Sequence, residues 1–283
     1  MDRTLKPLSM YCYHTHTYFC DGTSAPELYV KNALQLHFYS LGFSGHAPVP
    51  FANNFAIPNE KLISYCEEIN SLKSKYQNKL SILLGLEMDY IPGVSKPFEE
   101  LARECHLDYT IGSVHFVRNV AKEELWFIDG PKREIWDKGL EEVMEGDVKW
   151  GVNLYYRQIQ EMIEREKTDI VGHLDKIMMY NAHRYFSENE PWYRYLVIET
   201  LMKVQQCGAI LEINTRGLYK KLSDQLFPSE TFLPVIKELG IPVVISADAH
   251  HPSEIGLLFS QTLDLLLSKG FEEINHKGFK CYN

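Results

Sequence analysis

The chain has 283 residues and a formal net charge of −9 at pH 7, with 38 acidic against 29 basic side chains. That length fits one large α/β barrel or two modest domains, and an acidic chain without a block of Lys or Arg offers no surface that tracks a nucleic-acid backbone. No stretch approaches the ~18 uninterrupted apolar residues of a membrane span and the N-terminus has no signal-like apolar core, so the sequence reads as cytoplasmic, with no membrane partner. An anionic substrate would need a local cluster of cations, such as metal ions, rather than the field of the whole molecule. Six cysteines (Cys12, Cys20, Cys66, Cys105, Cys207 and Cys281) lie scattered without a C-x-x-C pair, which argues against a disulfide framework and a thiolate zinc site. They read as reduced packing residues.

In chain order, short apolar β-rich runs fall at residues 9–13, 38–44, 81–86, 107–114, 168–172, 209–213 and 241–247. Helical periods lie between them. The first begins at Ser24-Ala25-Pro26-Glu27, which has the spacing of a capping box with proline in the first turn. Others cover 60–76, 152–166, 191–207, 229–239 and 253–268. Strand then helix, repeated some seven times, implies a parallel sheet, and a closed barrel holds such a sheet in one domain. No linker, repeat or low-complexity tract divides residues 1–283, so a single domain is expected. Two segments break the alternation and read as insertions: 47–59, with two prolines soon after His46, and 116–149, which carries Trp126, Phe127 and Trp136. Both start just past the C-terminal end of a strand, where a barrel builds its active site.

The same ends carry the chemistry. Tyr11-Cys12-Tyr13-His14-Thr15-His16 ends in His-x-His, whose spacing sends both imidazoles to one face of a strand, and Asp21 follows closely. The second strand ends in His46, the third in Glu87, the fourth in His115, the fifth in His173, and the seventh in Asp248 and His250. Only the sixth ends without a histidine, at Glu212-Ile213-Asn214-Thr215-Arg216. A lone strand-end histidine is usually a hydrogen-bonded cap on the core. In a parallel barrel, however, these ends converge on one rim, and so many buried donors would be costly unless divalent cations turned the cost into coordination. Nine donors are too many for one tetrahedral ion and suit two or three, with a bridging carboxylate. His37, His106, His183, His251 and His276 fall in helical, pre-strand or tail positions and receive no metal role.

The H-x-H, His46, Gly85-Leu86-Glu87, Gly112-Ser113-Val114-His115, Gly172-His173-Leu174-Asp175, Glu212-Ile213-Asn214-Thr215 and the closing Asp-x-His resemble the PHP (polymerase and histidinol phosphatase) phosphoesterases, in order over nearly the whole chain. The resemblance implies an α/β fold, a distorted (β/α)7 TIM-like barrel with its active site at the C-terminal strand ends and a trinuclear centre of zinc, manganese or iron. Carried over by position, His14, His16, Glu87 and Asp248 would hold one ion, Glu87 would bridge to a second held by His115 and His173, and Asp21, His46 and His250 would hold the third. An oxygen donor at Asp21, where some relatives have histidine, makes that third site harder and favours iron or manganese over zinc.

The implied activity is hydrolysis of L-histidinol phosphate to L-histidinol and phosphate in histidine biosynthesis, with a small phosphate monoester as partner and no nucleic acid. Glu87 would take part in activating water, and Asp248 or His46 would protonate the leaving alkoxide. Arg216 is the first choice for a phosphate-binding cation, followed by Arg184, Lys176 and Arg118, each of which could equally be a solvated surface charge. Phe51, Phe55, Phe116 and Trp126 are candidates to shield an imidazole, or simply packed. Two other readings stay open: a PHP phosphodiesterase, exonuclease or other small-molecule phosphatase, and a metal-stabilised binding module.

Overall fold

The computed structural model describes residues 10–272. In chain order the elements are β1 (Met10–Cys12), α1 (Pro26–Gln35), β2 (Phe38–Phe43), α2 (Leu62–Tyr76), β3 (Ser81–Asp89), α3 (Phe98–Glu104), β4 (Tyr109–Ser113), β5 (Phe116–Asn119), β6 (Glu124–Phe127), α4 (Arg133–Glu142), α5 (Val148–Glu166), β7 (Ile170–Val171), α6 (Met178–Asn181), α7 (Pro191–Cys207), β8 (Ile210–Asn214), α8 (Arg216–Tyr219), α9 (Leu233–Glu238), β9 (Val243–Ser246) and α10 (Phe259–Ser268). Seven strands form one sheet in the order β1-β2-β3-β4-β7-β8-β9, all parallel, and β5 with β6 makes a separate antiparallel hairpin. The sheet is a nearly closed barrel. Its seam is bridged beyond the ends of the outer strands, where His16 N–H donates to the Ala249 carbonyl at 2.8 Å and Ala249 N–H to the His14 carbonyl at 3.2 Å.

Alternation along the strands sorts the side chains. Leu84, Leu86, Leu211, Val243 and Ile245 face the helices and join the large outer core. A small inner core holds Tyr13, Tyr109, Ile111, Ile170, Ile210 and Val244. Tyr109 fills the barrel, and its hydroxyl donates to the Tyr13 carbonyl at 2.5 Å. Glycine makes room for it: a Cβ on Gly42 would lie 2.4 Å from the Tyr109 hydroxyl, and one on Gly85 would lie 2.5 Å from its Cζ. Two residues further along each strand the inward positions turn polar, as Glu87, Ser113, Glu212 and Ser246. The barrel is therefore sealed by apolar and aromatic side chains below a polar rim.

Several elements depart from the sequence expectation. Strand β3 runs through Glu87 to Asp89, because Glu87 is held on both sides, pairing with Ile111 and bridging to His46. Ser24 does not cap α1: Pro26 starts the helix one residue later than a capping box requires, and Ala25 occupies the N-cap without a side-chain bond. Helix α3 was not anticipated, and the helical periods 229–239 and 253–268 each split into a 3-10 turn followed by α9 or α10. The 47–58 segment is irregular, as expected of a loop, whereas 116–149 contains the β5–β6 hairpin and α4. Trp126 is not at the site. It is fully buried, 4.9 Å from Trp136, and donates to that residue's carbonyl at 2.9 Å. The cysteines within the described residues are free; Cys281 and His276 lie outside them. No helix among the described residues is long and apolar enough to cross a membrane.

Candidate metal centre

All nine donors expected from the sequence meet at the C-terminal rim, in four overlapping clusters that could each hold a cation: His14, His16 and Asp248; His14, Glu87 and His173; His46, Glu87 and His115; and His16, Asp21, His46 and His250. Tetrahedral ligation at about 2.1 Å puts neighbouring donors about 3.4 Å apart. Glu87 Oε2 lies 3.0 Å from His14 Nε2 and 3.4 Å from His16 Nε2, and Asp248 Oδ1 lies 3.4 Å from His16 Nε2 and 3.9 Å from His14 Nε2. On its other side, Glu87 Oε1 is 2.9 Å from His173 Nε2 and 3.3 Å from His115 Nε2, and those two nitrogens are 3.3 Å apart. Around Asp21 the spacing is looser, with His250 Nε2 at 3.1 Å, His16 Nδ1 at 3.6 Å and His46 Nε2 at 3.9 Å. His14 Nε2, His16 Nε2 and Glu87 Oε2 are buried without a hydrogen bond. Buried donors left in that state at ligand spacing are what a cation among them would satisfy.

Electrostatics agree with this arrangement. Burial opposes charge on both Glu87 and His14, yet the surrounding imidazoles hold Glu87 well below the usual carboxylate range, while Glu212, Glu87 and Asp248 raise His14. His16 is pushed down by burial and by its neighbours His250 and His46, which favours the neutral ligand form. Asp248 stands in left-handed backbone, φ 50°, an uncommon conformation for a non-glycine residue and one found at functional sites.

The PHP domain family matches residues 13–216. The chain belongs to the PHP family. A Bacillus subtilis relative named histidinol-phosphatase is 29% identical over 268 residues, covering 89% of this chain and 97% of the relative. A Deinococcus radiodurans relative described as a "Probable histidinol-phosphatase" is 29% identical over 253 residues, covering 88% of this chain and 90% of the relative. The crystal structure of Lactococcus lactis histidinol phosphate phosphatase complexed with zinc, L-histidinol and phosphate has a TM-score of 0.69 to this chain at 22% identity, covering 97% of this chain and 98% of the other. This PHP chain shares that fold.

Around the PHP donors stand partners that receive no role in the sequence reading, although Glu212 stands at a strand end and Ser113 within a motif. His14 Nδ1 is 2.6 Å from Glu212 Oε1, whose second oxygen accepts from His173 N–H at 2.8 Å and Asn214 Nδ2 at 3.1 Å. Asp89 Oδ1 accepts from His115 N–H at 3.0 Å, and its Oδ2 is 3.3 Å from the ring Nδ1. The Ser113 hydroxyl donates to Glu87 at 2.7 Å. Such outer carboxylates fix the ring orientation and the tautomer of a ligand histidine. Period-two spacing would have found them: Asp89 is two residues beyond Glu87, and Glu212 is two beyond the inward Ile210.

A cavity of about 350 Å³ opens onto the PHP centre, with Phe55, Phe127 and Tyr180 among its walls and Lys176 and Arg216 as its cations. Lys176 is buried, its Nζ 3.3 Å from Asp248 Oδ2. Arg216 donates through Nη1 to the Asp248 carbonyl at 2.6 Å, and its Nη2 has no hydrogen-bond partner among the described residues. Arg184 does not line the cavity: it donates to Asp137 at 2.6 Å and lies over the Trp136 and Tyr185 rings. Arg118 turns away to the Pro92 carbonyl. Phe55 packs edge-on against His46 at 5.2 Å and contacts Phe116 and Phe127, while Phe51 stands behind on Phe116. His37, His106, His183 and His251 are all exposed, outside the clusters, and His251 caps a 3-10 turn.

Proposed function

We propose that this chain is a cytoplasmic, metal-dependent phosphomonoesterase that hydrolyses L-histidinol phosphate to L-histidinol and phosphate in histidine biosynthesis, with residues 1–283 acting as one barrel domain. The observation that carries this reading is Glu87, a fully buried carboxylate whose two oxygens face two separate sets of imidazoles at ligand spacing, beneath a cavity holding two cations and an aromatic wall. The names of the relatives supply the substrate.

In this reading His14, His16, Glu87 and Asp248 hold one ion, Glu87, His115 and His173 a second, and Asp21, His46 and His250 a third. The oxygen donor and wider spacing at Asp21 favour manganese or iron there over zinc. Divalent ions in such a centre lower the pKa of water toward neutrality and neutralise phosphoryl charge. The chain's own residues do the rest. Lys176 and the unused edge of Arg216 bind and orient the phosphoryl oxygens, Arg216 through its planar fork. Burial depresses the Lys176 ammonium, but Asp248 and Asp129 more than compensate, so it stays charged. Phe55 and Phe127 cover the imidazole and exclude water from the reacting end. Asp248 and His46 line the cavity beside Glu87 and are the candidates for passing a proton to the departing alkoxide.

The test is phosphate release by the purified, metal-analysed protein from L-histidinol phosphate, run beside single-stranded DNA. Turnover on histidinol phosphate that is lost to a chelator and restored by divalent ions is expected. Dominant nuclease turnover, or no release from the monoester, would overturn the reading.

A further inference from the structure

The metal clusters leave one cavity carboxylate unexplained. Asp129 follows β6 in the connection to α4, with 10% of its side chain exposed, and lines the cavity. Neither oxygen accepts a hydrogen bond among the described residues. Oδ1 is buried without a partner, and Oδ2 has only two longer ionic contacts, each 3.7 Å, to His115 Nε2 and Lys176 Nζ. Lys176 lies closer to Asp248, at 3.3 Å. None of the four donor clusters includes Asp129. A carboxylate in this state is costly unless a ligand donates to it.

We propose that Asp129 is a specificity residue that accepts hydrogen bonds from a protonated amine on the substrate. The inference rests on the reading of the cavity as a phosphate-monoester site and adds a requirement for an ammonium group near the ester. In L-histidinol phosphate the amine nitrogen is three bonds from the ester oxygen. A phosphoryl group bound at the donor-rich end therefore keeps the amine within a few ångströms of that end, where Asp129 stands 3.7 Å from His115 Nε2. The cations lie at Lys176 and Arg216, the aromatic surface at Phe55 and Phe127, and Asp21, Glu87 and Asp248 belong to the donor clusters, which leaves Asp129 as the remaining anionic contact for a substrate that is negative at one end and positive beside it.

The experiment compares kcat/KM of the wild type and Asp129→Asn on two pairs of esters, each differing only in the amine: L-histidinol phosphate against 3-(imidazol-4-yl)propyl phosphate, and 2-aminopropyl phosphate against propyl phosphate. Wild type should favour the amine in at least one pair, and the variant should lose that preference by about 10- to 100-fold, the range of a hydrogen bond to a charged group. Most of the change should fall on KM, metal content should be unaltered, and Asp129→Glu should recover part of the preference. Equal losses on both members of a pair, a fall in bound metal, or no amine preference in the wild type would overturn the proposal. No phosphate release from L-histidinol phosphate, with the amine preference kept on the aminopropyl pair and lost in Asp129→Asn, would leave Asp129 in this role while removing histidinol phosphate as substrate.

Discussion

Replacing Glu212 by Gln tests how far the centre depends on groups that touch no substrate. The carboxylate receives three donors, His14 Nδ1–H on one oxygen and His173 N–H with Asn214 Nδ2 on the other. A glutamine has one carbonyl and one NH2, so in either orientation it sets donor against donor. With the NH2 toward His14, the ring is driven to protonate Nε2, the nitrogen that faces Glu87 and Asp248, and can no longer ligate through it. With the NH2 toward His173, that backbone N–H is left unsatisfied. A hydrogen bond involving a charged group contributes about 1.5–3 kcal/mol, so metal affinity should fall about 10- to 100-fold, in line with the usual effect of outer carboxylates. The assay is competition with a chromogenic chelator, followed by phosphate release at saturating metal, where part of the activity should return. Wild-type metal affinity in Glu212→Gln would refute the reasoning.

Three other outcomes are expected. Stripping divalent ions should lower Tm by roughly 10 °C, since a ligand at about 1,000 times its Kd adds about 4 kcal/mol to the native state; a scanning calorimetry trace unchanged by chelator would contradict this. Gly85→Ala sets a Cβ 2.5 Å from Tyr109 Cζ in the packed barrel interior and should cost about 1–3 kcal/mol in urea unfolding, with a lower midpoint at similar slope. Arg184→Ala removes a part-exposed contact to Asp137 outside the cavity, so kcat/KM should stay within about twofold and stability within about 1 kcal/mol; a large loss of kcat/KM would bring Arg184 back to the substrate.

The barrel could be read from the sequence because its strands are short, apolar and regularly spaced, and the donors because each follows such a run. His14 and His250 are far apart in the chain but equivalent in the fold, and that equivalence follows from parallel strands alone. Helix α7 was also legible, bounded by Pro191 and by Gly208 at φ 69°. The unread parts share a physical reason. Glu212 falls on the inward period of its strand, but its pairing with His14 joins residues 198 apart in the chain and is set by the barrel's curvature. Asp129 lies past a hairpin, where neither strand nor helix period applies. Helix α3 has seven residues, too few for its buried Phe98, Leu101 and Ala102 to stand out as a period. Trp126 and Phe127 are neighbours on one strand, and alternation alone sends the first into the core and the second to the cavity.

The seam between β1 and β9 sets a condition on biogenesis. The two outer strands share no ladder of their own, and what joins them just above their ends is a pair of backbone contacts together with His14, His16 and Asp21 on one side and Asp248 and His250 on the other. A nascent chain stopped before β9 has six of the seven parallel strands but lacks two of the nine candidate donors, Asp248 and His250, so a cation held by the full set would bind only once synthesis has passed residue 250. Ion uptake would then act as a clasp drawn shut by β9, the last of the described strands to emerge.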